Sequence, residues 1–143
     1  MTTRPSWDDY FLAIAQAVAL RADCSVRQVG AVIVRANRIV SAGYNGSPAG
    51  QPGCLSDGAC PRAAMPDPED GGDRKMVSYD GGPGSCIAVH AEANAIIYAD
   101  RDHCEGAVIY VTADPCPGCR KLIAGAGIAR IVILAPVREE ATA

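Results

Sequence analysis

The sequence has no excess of positive charge, no internal repeat, and no apolar run long enough to cross a membrane or serve as a secretory leader. Thirteen Lys and Arg stand against 16 Asp and Glu, a net charge of −3. That balance argues against gripping a polynucleotide through a basic face. The opening MTTRPSWDDY carries no apolar h-region, so the expected compartment is the cytoplasm and no membrane association is expected. Hydrophobic residues make up 49% of the 143 positions and charged residues 20%. Such a chain can bury a core, and one domain over residues 1–143 is expected.

Cysteine, by contrast, is plentiful: Cys24, Cys54, Cys60, Cys86, Cys104, Cys116 and Cys119. In a reducing compartment an odd number of thiols reads more naturally as metal ligands than as disulfides.

Periodicity predicts a helix from Ser6 to Arg21, with Ser6 and Asp9 as a capping box and Phe11, Ile14 and Val18 at helical spacing. The β-branched runs 29–34 and 39–43 predict a hairpin turning through Arg35 to Arg38. Between Tyr44 and Ser85 the pattern disappears, and 15 of the chain's 25 glycines and prolines fall there. A loop that long in a compact domain is functional or held by something. Regular pattern resumes with a helix over 88–100, a strand over 107–111, a helix over 116–126 and a buried strand over 128–135. The order predicts an α/β fold with a mixed sheet covered by helices, its last two strands parallel. His103 and Cys104, near the end of a helical stretch, are left out of any site.

Two short motifs carry the chemistry. His90-Ala-Glu92 opens one predicted helix, and Pro115-Cys116-Pro-Gly-Cys119 opens another. Cys116 and Cys119 share a helix face in the first turn, where the macrodipole favours thiolate. Two thiolates and one imidazole match a zinc site whose fourth position is left to water, the catalytic rather than structural type. Zinc in such a site lowers the pKa of a water to about 7. Glu92 then stands close enough to shuttle protons without being a ligand. Alone, C-x-x-C is more often a structural knuckle or redox pair, and H-x-E is background. Together, each at a helix start with a strand between them, they form the signature of zinc nucleobase deaminases.

With these motifs, Val29-Gly-Ala-Val-Ile-Val34, Gly43-Tyr-Asn-Gly-Ser-Pro-Ala-Gly50, His90-Ala-Glu-Ala-Asn-Ala-Ile96, Gly106–Thr112 and Pro115–Ile128 resemble the cytidine/deoxycytidylate deaminase superfamily, and within it the dCMP deaminases of phage and bacterial type. The resemblance implies a three-layer α/β/α cytidine-deaminase-like mixed sheet, shortened at the C-terminus. It implies zinc on His90, Cys116 and Cys119, Glu92 as proton shuttle, Asn45 as a nucleotide contact, and the backbone at Ala91 as a partner for the pyrimidine carbonyl. Asn45 can equally be a turn residue of Asn-Gly. The implied reaction is deamination of dCMP to dUMP and ammonia, in pyrimidine deoxynucleotide supply. Another cytosine nucleoside or nucleotide, or a purine base, is the alternative within the class, and a non-enzymatic zinc-held binding protein the alternative outside it.

The resemblance further implies a second, structural zinc on Cys24, Cys54 and Cys86, with Cys60 available as the fourth ligand, against which these are simply buried reduced thiols. It also implies a homo-oligomer, with a hexamer favoured, and dCTP and dTTP as effectors. Arg27, Arg120 and Lys121 are phosphate candidates by charge alone.

Overall fold

The structure is a computed structural model that describes residues 2–63 and 84–135. The expected acidic stretch 65–80 and the residues after Ala135 lie outside the described residues. Elements run α1 (Trp7–Ala19), β1 (Gly30–Arg35), β2 (Arg38–Tyr44), α2 (Ala91–Ile97), α3 (Arg101–Cys104), β3 (Val108–Val111), α4 (Pro117–Gly125) and β4 (Arg130–Ile133). The strands form one sheet in the order β2-β1-β3-β4. β1 pairs antiparallel with both β2 and β3, and β3 pairs parallel with β4 across α4. The expected hairpin and the parallel strand–helix–strand unit are both present.

β1 is central and reads Gly-Ala-Val-Ile-Val-Arg, buried at every position but the last. Side chains on a strand alternate between faces, and here the alternation divides the core in two. Ala31 and Ile33 join Ala91 and Ala95 of α2, Cys104 of α3, Ile109 of β3 and Ile123 of α4. Val32 and Val34 join Phe11, Leu12 and Ala15 of α1 and Tyr110 of β3. Helices therefore cover both faces, giving the expected three layers. The tight turn between β1 and β2 places Ala36 and Asn37 at φ of 50° and 57°, the left-handed pair that a two-residue hairpin of matching twist requires.

α1 starts as expected, with Ser6 Oγ accepting from the Asp9 N–H at 3.1 Å. Its first turn is pinned to the far side of the sheet: Tyr110 donates its hydroxyl to Asp8 Oδ1 at 2.8 Å, and Arg130 pairs with the same carboxylate. Arg130 and the Tyr110 hydroxyl hold the Asp8 carboxyl below its usual range. Burial, then the Asp8 bond, pushes the Tyr110 phenol up to about 12.

Two expectations change. The helix expected over 88–100 starts only at Ala91, because Val89 is drawn into a two-way backbone bridge with Gly46 and His90 is extended. It ends at Ile97, and the chain restarts as α3 after Asp100. The strand expected to be buried over 128–135 is the four-residue β4, exposed at both ends. It lies at the sheet edge with β3 as its partner, so part of its surface faces outward.

Candidate active site

The site forms where β3 hands over to α4 and where the chain enters α2, at the carboxyl end of β3, the usual place for a ligand crevice in an α/β sheet. His90 is the N-cap of α2, with φ −66° and ψ 153°. Cys116 is the N-cap of α4, one position earlier than expected, and its Sγ accepts from the Cys119 N–H at 3.4 Å. His90 Nδ1 stands 3.5 Å from Cys116 Sγ and 3.3 Å from Cys119 Sγ. All three donor atoms lie within 4.8 Å of one another, the sole such group among the described residues.

Several contacts fix α2 over the sheet. At Gly43 of β2 a Cβ would overlap the Ala91 carbonyl oxygen and the Ala95 nitrogen, so only glycine lets the helix lie this close. Ser41 donates to the Ala95 carbonyl at 2.7 Å, and Asn94 Nδ2 to the Tyr44 carbonyl at 2.8 Å. Glu92, in the first turn of α2, is 4% exposed. Burial, then the Glu92 carboxylate and Cys116 beside it, pushes the Cys119 thiol upward. Two thiols and a carboxylate crowded out of water repel as anions, and a divalent cation among them removes that penalty. One imidazole nitrogen and two sulfurs is a donor set suited to zinc. By chemistry and placement the residues fit one zinc.

A pocket of about 320 Å³ opens beside them, bounded also by Cys24, Arg27, Asn45, Cys86 and Asp114. Ala91, at the first position of α2, lines it with a backbone N–H of the kind a helix start leaves unpaired. Asn45 lines it too, yet its side chain is already engaged. Its Oδ1 accepts from the Val29 N–H at 2.8 Å, and its Nδ2 donates to the Arg27 carbonyl at 2.8 Å. One amide hydrogen is left for a ligand. Of the three charge-only candidates Arg27 lines the pocket, whereas Arg120 is held by Asp114. Asp114 had no motif to mark it, since nothing in Thr-Ala-Asp-Pro distinguishes a pocket residue from a turn.

Of the other five cysteines, Cys24 and Cys86 line the pocket, and Cys54 and Cys60 lie near them. Cys54 is buried, and burial followed by the nearness of Cys60, Cys24 and Cys86 pushes its thiol up to about 11. Cys60 is net lowered despite burial, held by the backbone N–H groups of Ala63 and Arg62 and by the Ser25 side chain. Cys54 and Cys60 meet through their side chains, but no three of these four bring their sulfurs within 4.8 Å of one another as the donor atoms of His90, Cys116 and Cys119 are. Cys104 sits apart in the core, and His103 faces Asp100 at 3.7 Å.

Residues 5–135 match the family described as the cytidine and deoxycytidylate deaminase zinc-binding region. The deoxycytidylate deaminase of Mycobacterium phage D29 is 48% identical over 133 residues, covering 91% of this chain and 95% of the phage protein. The deoxycytidylate deaminase of Saccharomyces cerevisiae is 38% identical over 130 residues, which are 90% of this chain but 38% of that protein. Among solved structures, the dCMP deaminase of cyanophage S-TIM5 in complex with dCMP and dUMP superposes with a TM-score of 0.65 at 25% identity, covering 92% of this chain and 83% of that one. No helix among the described residues is long and apolar enough to cross a membrane.

Proposed function

The chain belongs to the cytidine and deoxycytidylate deaminase family, and from that premise we propose that it hydrolyses dCMP to dUMP and ammonia within a single domain, in the cytoplasm, for pyrimidine deoxynucleotide supply. The observation that carries this reading is the convergence of His90, Cys116 and Cys119 beside a buried Glu92, at a pocket that His90, Glu92 and Cys116 line. His90 Nδ1 and the two Sγ atoms would hold zinc, which when bound acts as a Lewis acid and acidifies water.

The residues divide the remaining work. Glu92 takes a proton from the attacking water and delivers it to N3 of the pyrimidine, then takes the second proton from the new C4 hydroxyl and delivers it to the amine. The C4–O bond forms, the C4–N bond breaks, and ammonia leaves. The Ala91 N–H donates to the pyrimidine carbonyl, and the free amide hydrogen of Asn45 meets the nucleotide. Arg27 is the phosphate partner, because it alone of the three candidate cations borders the pocket.

The same reading places a second zinc on Cys24, Cys54, Cys60 and Cys86, supported by the way the other three crowd Cys54. It includes assembly into a homo-oligomer, a hexamer first, for which the exposed Ile97, Tyr98 and Leu122 offer apolar surface. It also includes dCTP and dTTP as effectors. The test is ultraviolet absorbance with dCMP, dCTP, CMP, deoxycytidine and guanine as substrates. Turnover of dCMP above the others is expected. Turnover of deoxycytidine but not dCMP would discard the nucleotide assignment, and turnover of none would discard the deaminase.

A further inference from the structure

Resting on that nucleotide-deaminase reading, we propose that Asp23 is a positioning residue: it fastens the loop bearing Cys54 to the pocket wall of residues 24–29, and this fastening sets how tightly the nucleotide is held. Asp23 is not among the residues that line the pocket, but Cys24, Val26, Arg27 and Val29 are. Its carboxylate is where separate segments meet. Oδ1 accepts from the backbone N–H groups of Leu55 and Ser56, each at 2.8 Å, and Oδ2 accepts from the Ser56 hydroxyl at 2.6 Å. Gly53 presses so closely on Oδ2 that a Cβ there would overlap it.

The connection continues towards the site through the backbone. The Asp23 N–H donates to the Asn45 carbonyl at 2.9 Å. Asn45 in turn holds the Arg27 carbonyl and the Val29 N–H. The next residue, Gly46, exchanges hydrogen bonds with Val89, the neighbour of His90. Residues 24–29 form no helix or strand before Gly30. Their shape is therefore set by these bonds, and removing the carboxylate detaches the loop bearing Cys54 from the wall.

The geometry separates two substitutions. Asp23→Ala removes the acceptor from three donors. Asp23→Asn keeps an oxygen for the two backbone N–H groups, and the Ser56 hydroxyl can rotate to accept from the new amide. Expected for Asp23→Ala is a KM for dCMP raised about tenfold with kcat within twofold of the parent chain, since an interaction serving ground and transition states equally is lost. Asp23→Asn stays within threefold in KM, and Ser56→Ala, which removes only the hydroxyl, raises KM two- to threefold. Hydrogen exchange at Leu55 and Ser56, faster in Asp23→Ala than in Asp23→Asn, reads the fastening without turnover. A KM rise below threefold in Asp23→Ala, or a loss of kcat at constant KM, overturns the proposal, because a purely structural part would shrink the active fraction instead. If Asp23→Ala does not fold, a Ser56→Ala KM equal to that of the parent overturns it. Absence of dCMP turnover in the parent chain overturns the substrate reading, with the exchange comparison still testing the fastening.

Discussion

One wall of the pocket is built from regular structure and the other from loops. His90, Glu92, Cys116 and Cys119 stand at the starts of α2 and α4, whose positions follow from packing against a buried sheet. Cys24, Arg27 and Cys86 stand on irregular backbone, and the run 24–29 is held by hydrogen bonds with Asn45. Groups that meet reacting atoms need placement to a fraction of an ångström, which packed helices provide. Groups that hold the variable end of a ligand can ride on adjustable backbone. On the proposed reading, chemistry belongs to the helical wall and affinity to the loop wall.

The largest effect that could break this division is at Glu92. Glu92→Gln keeps the shape and removes the proton shuttle, so kcat should fall about 1000-fold, roughly 4 kcal/mol of barrier, with zinc content unchanged. Retained turnover measured by ultraviolet absorbance would move the chemistry away from the helical wall. Next is Gly43→Ala, which drives a methyl into the backbone of α2 and should cost about 1–3 kcal/mol in thermal unfolding. An unshifted melting temperature would mean that α2 is not held flush.

On the loop wall, Cys54→Ser should remove one zinc per chain by elemental analysis, lower the melting temperature by a few degrees and leave the other zinc in place. A zinc content equal to that of the parent chain would remove the structural metal from the comparison. The smallest effect lies away from both walls. Asp8→Asn removes a carboxylate whose pKa is depressed in the folded chain, so its contribution is complete above the ordinary value of 3.8 and fades as pH falls through the lowered one. Thermal melts should show the two proteins differing by a constant small amount from pH 7 to about pH 4 and converging below that. A gap that widens on acidification would reverse the sign.

The two walls also differ in how much the residues announced them. The helical wall was legible because H-x-E and P-C-x-x-C are local, and each sits where a change of pattern marks a helix start. Even so, Val89 pairing with Gly46 moved the start of α2 past His90, a contact between residues 43 positions apart that no local pattern contains. The burial expected over 128–135 failed for a related reason. Ile-Ala-Arg-Ile-Val-Ile-Leu-Ala has the composition of an inner strand, but order in the sheet, not composition, put β4 at the edge. On the loop wall the cysteines were visible and their holder was not. Asp23 looks like any surface acid until the 53–57 turn folds over it, and Asn45 reads equally as ligand contact or turn residue until both ends of its amide are seen bound.

The strand order also bears on how the chain finds its shape. β1 meets β2 through a two-residue turn, but it meets β3 by joining Ala31 to Val111, 80 residues apart. The first pairing closes almost no loop, while the second must gather the whole glycine- and proline-rich stretch before any bond is gained. Anything that ties Cys24 to Cys86 shortens the span still to be closed. Refolding should therefore be faster when zinc is supplied before dilution from denaturant than after it, and Cys54→Ser should lose that advantage.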